Sequence, residues 1–226
     1  KSLQTIQKRD QEPYKVPHSV QEAIPILRVW EDGIFQIGKE KYSKTFQISD
    51  INYAVASGDA KQKMHKSFQE LLNGLEPGVT TKWTIFNRTQ SKKAIQENLI
   101  PLRGDDLDVL VKDNNQILLE DAKIGNGIVQ SKYVTISSYH NNYEDAHRFF
   151  QSEANSLQSG LDPLSSKSTE LDVKERLRIF YDFFHPGEEE HFRFSMKRKM
   201  QRGHSFLDRI VPDSISYKAD HIKIGK

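Results

Sequence analysis

The sequence predicts an α+β fold, with a mixed or antiparallel sheet and about four main helices packed on it. Three observations carry that prediction. Residues 59–75, 105–123, 143–161 and 172–184 each repeat apolar side chains at helical spacing. Between them lie runs rich in β-branched and aromatic residues, at 34–37, 42–48, 79–87 and 128–139. The first two runs adjoin through a short polar turn, so the strict strand–helix alternation of a doubly wound sheet is missing.

Residues 1–22 are polar, Gln- and Lys-rich, and interrupted by Pro13 and Pro17. They read as a flexible tail, leaving 23–226 as the folded domain. Glu31-Asp32-Gly33 is a turn signal, and 34–37 and 42–48 form a hairpin across Gly38 to Lys41. Asp59 is the expected cap of the first helix, whose face carries Met64, Phe68, Leu71, Leu72 and Leu75. Pro77-Gly78 stops it. The strand at 79–87 sets Trp83, Ile85 and Asn87 on one face, and a short helical piece at 91–99 ends before Pro101. The helix at 105–123 is expected to turn Leu107, Leu110, Val111 and Leu118 inward, and Gly125-Asn126-Gly127 to end it. The third helix presents Ala146, Phe149, Phe150, Ala154, Leu157 and Leu161. A short strand follows within 164–171. The fourth helix carries Leu177, Phe180, Tyr181 and Phe184, and short mixed pieces complete the chain.

Composition narrows the function classes. The 226 residues include 36% hydrophobic side chains, and a chain this long buries about 70% of its unfolded surface, enough for a real core. Zero cysteines exclude disulfides, thiolate metal sites and a cysteine nucleophile. Thirty-three Lys+Arg against 31 Asp+Glu leave a net charge of +2, too little to demand an anionic partner overall. No apolar run approaches the ~20 residues that span a bilayer, and no secretory leader is visible. The expectation is a soluble cytoplasmic domain.

The motifs that resemble chemistry do not survive their context. Gly33 to Lys39 fits a GxxxxGK phosphate loop, but the residues between the glycines are a β run and Glu40 stands where Ser or Thr would hold magnesium. Asp105, Asp106 and Asp108 suit the positive end of a helix better than a cation site. Eight histidines are scattered with no HxH or HExxH spacing, and no serine lies in a GxSxG elbow. Glu188-Glu189-Glu190-His191 follows Pro186-Gly187 and reads as a solvated loop. No catalytic, cofactor or metal residue is assigned. One basic patch remains, Lys197, Arg198, Lys199 and Arg202, as a possible interaction site; Phe192 and Phe194 before it read as buried β residues, not base-stacking ones.

An ordered set of short signatures runs through residues 20–226. Ile24-Pro25-Ile26 leads into Trp30-Glu31-Asp32-Gly33-Ile34, then Tyr42-Ser43-Lys44-Thr45-Phe46 and Asp50-Ile51-Asn52-Tyr53. Gly104-Asp105-Asp106-Leu107-Asp108, Gly125-Asn126-Gly127, Lys132-Tyr133-Val134-Thr135-Ile136 and Phe184-His185-Pro186 follow, with Phe192-Arg193-Phe194 and Asp208-Arg209-Ile210-Val211-Pro212 last. In order and spacing this resembles the N-terminal domain of conjugation ATPases of the CagE/TrbE/VirB family, in the version carried by conjugative elements of Gram-positive bacteria. The resemblance implies a non-catalytic domain that docks a motor to inner-membrane channel subunits of a type IV secretion machine and to sister subunits of a hexamer. It places the domain peripherally at the cytoplasmic face of the membrane. The RecA-like motor, with its ATP and Mg²⁺, is expected outside this chain, which has no Walker A or Walker B pattern. The alternative is a nucleic-acid-binding domain using the basic patch. In that case Ala at Lys197, Arg198, Lys199 and Arg202 weakens DNA binding in a gel-shift titration and flattens its salt slope; no shift by the wild type at low salt ends that reading.

Overall fold

The computed structural model describes residues 19–89, 99–104, 106–124, 128–188, 191–196 and 205–225. Residues 1–18 of the expected tail, nearly all of the helical piece at 91–99 and the Gly125-Asn126-Gly127 turn lie outside them. Val20–Ala23, at the end of the stretch read as tail and the start of the domain, form one helical turn.

One strand organises the sheet. β1 (Arg28–Val29) and β2 (Phe35–Gln36) lead to β3 (Lys41–Ile48), which pairs along its whole length with β5 (Ile128–Tyr139). The opposite side of β3 is shared end to end. β2 takes Tyr42 and Ser43, while β6 (Ser168–Glu170) takes Phe46 to Ile48. β4 (Thr80–Thr89) lies outside β5, giving the order β1-β2-β3-β5-β4. Every pairing is antiparallel. The last strands, β7 (Ile215–Tyr217) and β8 (Ile222–Ile224), form a separate hairpin.

Four long helices accompany the sheet among the described residues: α1 (Gly58–Asn73), α2 (Asp108–Ile124), α3 (Tyr143–Leu161) and α4 (Val173–Phe184). Their starts follow side-chain chemistry. The Asn142 carboxamide accepts the Asp145 N–H at 2.8 Å, and Asp172 forms a reciprocal capping box with Glu175. For α1 the cap is Ser57, not the expected Asp59. Ser57 has extended backbone and accepts the Ala60 N–H, and Asp59 falls inside the first turn, where its charge still suits the helix dipole.

Side-chain alternation in the sheet separates two cores. Tyr42, Phe46 and Ile48 of β3 with Val134 and Ile136 of β5 pack under α1 and α3, against Leu71, Phe150, Leu157 and Leu161. Phe35 faces the other way and joins Ile24, Ile26, Val173, Leu177, Tyr181, Phe192, Leu207 and Ile210. The adjacent residues Ile34 and Phe35 thus belong to different cores, as the period-2 geometry of a strand requires. Both are fully buried.

The expected packing of α2 fails. Leu107, Leu110 and Leu118 do not face a core: they are 60%, 64% and 41% exposed, and Val111 is half-buried. The reason is topological. β3 meets β5 only from Lys132 onward, so residues 128–131 and their β4 partners continue as a two-stranded ribbon. The chain leaves that ribbon at Thr89, passes through α2 and returns at Ile128. Both faces over β3 are already filled by α1, α3 and α4. Periodicity reports that a helix has an apolar stripe, not what the stripe meets.

Among the described glycines, Gly33 lies closest to other backbone. Its φ is +78°, and a Cβ there would lie 2.0 Å from the Leu171 carbonyl oxygen. Gly33→Ala should therefore lose at least about 2 kcal/mol in urea unfolding, from left-handed backbone plus a clash with an immovable carbonyl. Gly58→Ala, with nothing within 4 Å, should be neutral or slightly stabilising.

Candidate functional site

A part-buried polar arrangement surrounds the turn between β1 and β2. Asp32 Oδ1 accepts the Ile34 N–H at 3.1 Å, which closes the turn locally. Its Oδ2 accepts the Tyr143 hydroxyl at 3.0 Å, and His147 Nδ1 sits 2.8 Å from the same oxygen. Tyr143 and His147 stand one turn apart at the start of α3, so a single carboxylate reaches both. Trp30 stacks on Tyr143, with ring centroids 4.7 Å apart and planes 12° from parallel.

Behind the turn lies Arg176 of α4, only 4% exposed. Its Nη1 donates to the Gly33 carbonyl at 2.6 Å and the Ser43 carbonyl at 2.8 Å, and Nη2 donates to Ser43 Oγ at 3.1 Å. The guanidinium lies 3.9 Å from the centroid of the Phe35 ring. Burial pulls its pKa down to about 9 while the Asp32 charge holds it up, so it stays charged at neutral pH. Burial, then the hydrogen bond and charge of Asp32, push the Tyr143 hydroxyl up to about 12.

A carboxylate that fixes an imidazole nitrogen is also the arrangement of a general base or a metal ligand. Here it lacks the remaining parts. Among the described residues no three His, Asp or Glu side chains gather as a metal-binding group, and His147 forms no further hydrogen bond. The cluster acts as a joint that fastens the turn to α3. A cleft of about 280 Å³ between α1 and α3, lined by Leu71, Leu75, Ser156, Gly160 and Pro163, is mostly apolar and smaller than usual ligand sites. Close by in the sequence of α3, Glu153 is 5% exposed and its Oε2 has no partner. Burial and then the charge of Glu76 raise its pKa.

Lys197, Arg198, Lys199 and Arg202 lie outside the described residues, as do Asp105, Glu189 and Glu190. Asp108 is occupied structurally, accepting the N–H groups of Arg103 and Gly104 at 2.9 Å each. Gly33 to Glu40 is turn, strand and turn, with no helix to receive a phosphate. Phe192 is buried and Phe194 packs against the second core. The joint itself escaped the sequence reading, although Tyr143 and His147 at i,i+4 beside a predicted helix start were a usable signal.

An exposed apolar feature among the described residues is the outward stripe of α2. Leu107, Leu110, Ile117 and Leu118 fall within about 120° of helix circumference at 100° per residue. Ile100 and Leu102 extend it on a strap held to α2 by Asn115, whose carboxamide pairs with both the N–H and the carbonyl of Ile100. Ile117 is 57% and Leu102 52% exposed.

Two pH effects follow. Protonated Tyr143 contributes stability that is complete below its ordinary value of 10 and is lost as pH rises toward about 12. Wild type should therefore lose melting temperature faster than Tyr143→Phe across that window. Glu153, with its pKa raised, favours the fold below the ordinary value of 4.5 and opposes it once ionised. Glu153→Gln should raise the melting temperature at pH 7, with the gain shrinking toward pH 4. No protein-family model matches the chain, and no curated protein matches it in sequence.

Proposed function

We propose that this chain is a non-catalytic docking domain of a type IV secretion ATPase, tethering a motor to the membrane channel complex and to sister subunits during conjugative DNA transfer. The observation that carries docking is α2. Large exposed apolar patches mark interaction surfaces in soluble domains, and this one sits on an element that neither core requires. Its apolar side chains are interspersed with Asp106, Asp108, Asp113 and Glu120, a pattern that favours a protein groove with an apolar floor and a basic rim.

The conjugative setting rests on the ordered signatures. Trp30, Asp32, Gly33, Tyr42 and Ser43, all within them, meet at the joint between the two cores. Signature residues spent on packing and turns suit a scaffold better than a catalyst. No helix among the described residues is long and apolar enough to cross a membrane, so in this reading the membrane is approached through the channel subunits, from the cytoplasmic face. ATP and Mg²⁺ belong to the motor. DNA binding through the basic patch, which lies outside the described residues, is the other reading.

Leu110→Asp combined with Ile117→Asp tests the proposal. Both side chains are more than half exposed, so the circular dichroism spectrum and melting temperature should not change. Affinity for the inner-membrane channel subunits should fall at least about ten-fold, the loss typical of a truncated hot spot. Unchanged affinity would remove α2 as the docking element. Tight nucleotide binding or ATP hydrolysis by this chain would overturn the non-catalytic reading.

A further inference from the structure

The two edges of the sheet are built differently. On one side the strands are two or three residues long: Arg28–Val29, Phe35–Gln36 and Ser168–Glu170. On the other, β4 runs for ten residues with neither Pro nor Gly, in unbroken register with β5 from Thr80↔Ser137 to Thr89↔Ile128. Among the described residues no strand pairs with its outer side. Soluble proteins shield such an edge by shortening it, bulging it, covering it or placing charge on it. β4 offers only Lys82, because Arg88 is taken up by Asp182 of α4 at 3.1 Å. Trp83 and Ile85, on one face, are 44% and 65% exposed. A row of unpaired N–H and C=O groups is satisfied by one class of occupant, another extended strand.

We propose that the occupant is β4 of a second copy, antiparallel about a two-fold axis at Thr84, so that two sheets become one. The register follows from the side chains. An axis perpendicular to the sheet brings like faces together, so opposed residues have the same parity and the axis passes through a residue. Centred on Thr84, the pairing sets Trp83 against Ile85 of the second copy, twice, and Lys82 against the Phe86 ring, twice. Thr84 then meets its own mate, repeating the hydroxyl pair that Thr45 and Thr135 form at 2.9 Å inside the sheet. A shift of the axis to Ile85 sets Lys82 against Arg88, two like charges directly opposed, which is unfavourable. A shift to Trp83 leaves Ile85 facing Thr81 and separates it from the indole. Of these three registers, side-chain pairing favours the one centred on Thr84, and in it the strand is self-complementary. This pairing is independent of docking through α2, whose side chains it does not use.

The absence of cysteine makes the test direct. Opposed Cβ atoms in such a pair lie about 4.5–5.5 Å apart, close enough for a disulfide after slight adjustment. Thr84→Cys should thus give a covalent dimer under mild oxidation. Thr80→Cys should not, because its mate lies roughly 26 Å away at about 3.3 Å per residue. Wild type should sediment as a dimer in the micromolar range, and Thr84→Lys, which opposes two cations, should dimerise at least ten-fold more weakly with an unchanged circular dichroism spectrum. The Leu110→Asp, Ile117→Asp protein should dimerise like wild type, which separates this result from the fate of the docking proposal. A monomeric wild type, equal cross-linking at residues 80 and 84, or an undiminished Thr84→Lys dimer would each overturn the inference.

Discussion

A guanidinium buried without a carboxylate in contact needs every donor it can place, and Arg176 finds its acceptors in the β1–β2 turn and in β3. That requirement holds the molecule together. The Gly33 and Ser43 carbonyls accept from it, the Phe35 ring lies against it, and Asp32 supplies the opposite charge at a distance. The turn held in this way then offers Asp32 to Tyr143 and His147 on α3. Helices on opposite faces of the sheet are therefore fastened to one three-residue turn. Removing one partner of such an arrangement leaves buried polar groups unsatisfied, which costs more than the net worth of the hydrogen bonds themselves. Gly33 makes this packing possible, since only a residue without Cβ lets the turn approach Leu171.

Stability and recognition occupy different parts of the chain. The two cores lie over β3 and the inner half of β5, while β4's outer edge and α2 lie beyond them. A solvent-facing helix at the end of a two-stranded ribbon adds little to folding, because much of its apolar stripe stays exposed. The same separation leaves the stripe available to a partner at small cost in reorganisation. Besides the β4–β5 ladder, side-chain contacts among the described residues that tie the outer region to the body include the Arg88–Asp182 ion pair, which links β4 to α4, and Trp83 edge-on to Phe68 of α1.

Much of this was legible in the sequence. The hairpin, β5 and the helices at 143–161 and 172–184 could be read because their local patterns and their burial agree, with Asp172 marking a helix start directly. What was not legible depends on contacts between segments remote in sequence. The stripe of α2 was read as core because helical periodicity is blind to topology. Ser57 replaced Asp59 as a cap because two polar residues two positions apart compete for the same role and only backbone geometry decides. Arg176 and Glu153 look like surface residues in a helical pattern, yet tertiary contacts bury both. The Asp32–Tyr143–His147 joint spans more than 110 positions, and no local signal pairs its two halves.

Native-state hydrogen exchange on the free chain tests the division between body and docking element most directly. If α2 stands apart from both cores, its amides exchange through local opening well before those of β3 and β5, and α3 and α4 share the slow exchange of the sheet they are fastened to. Protection of α2 equal to that of β3 would mean that the helix is integral to the folded body, and would contradict its assignment as a surface held ready for a partner.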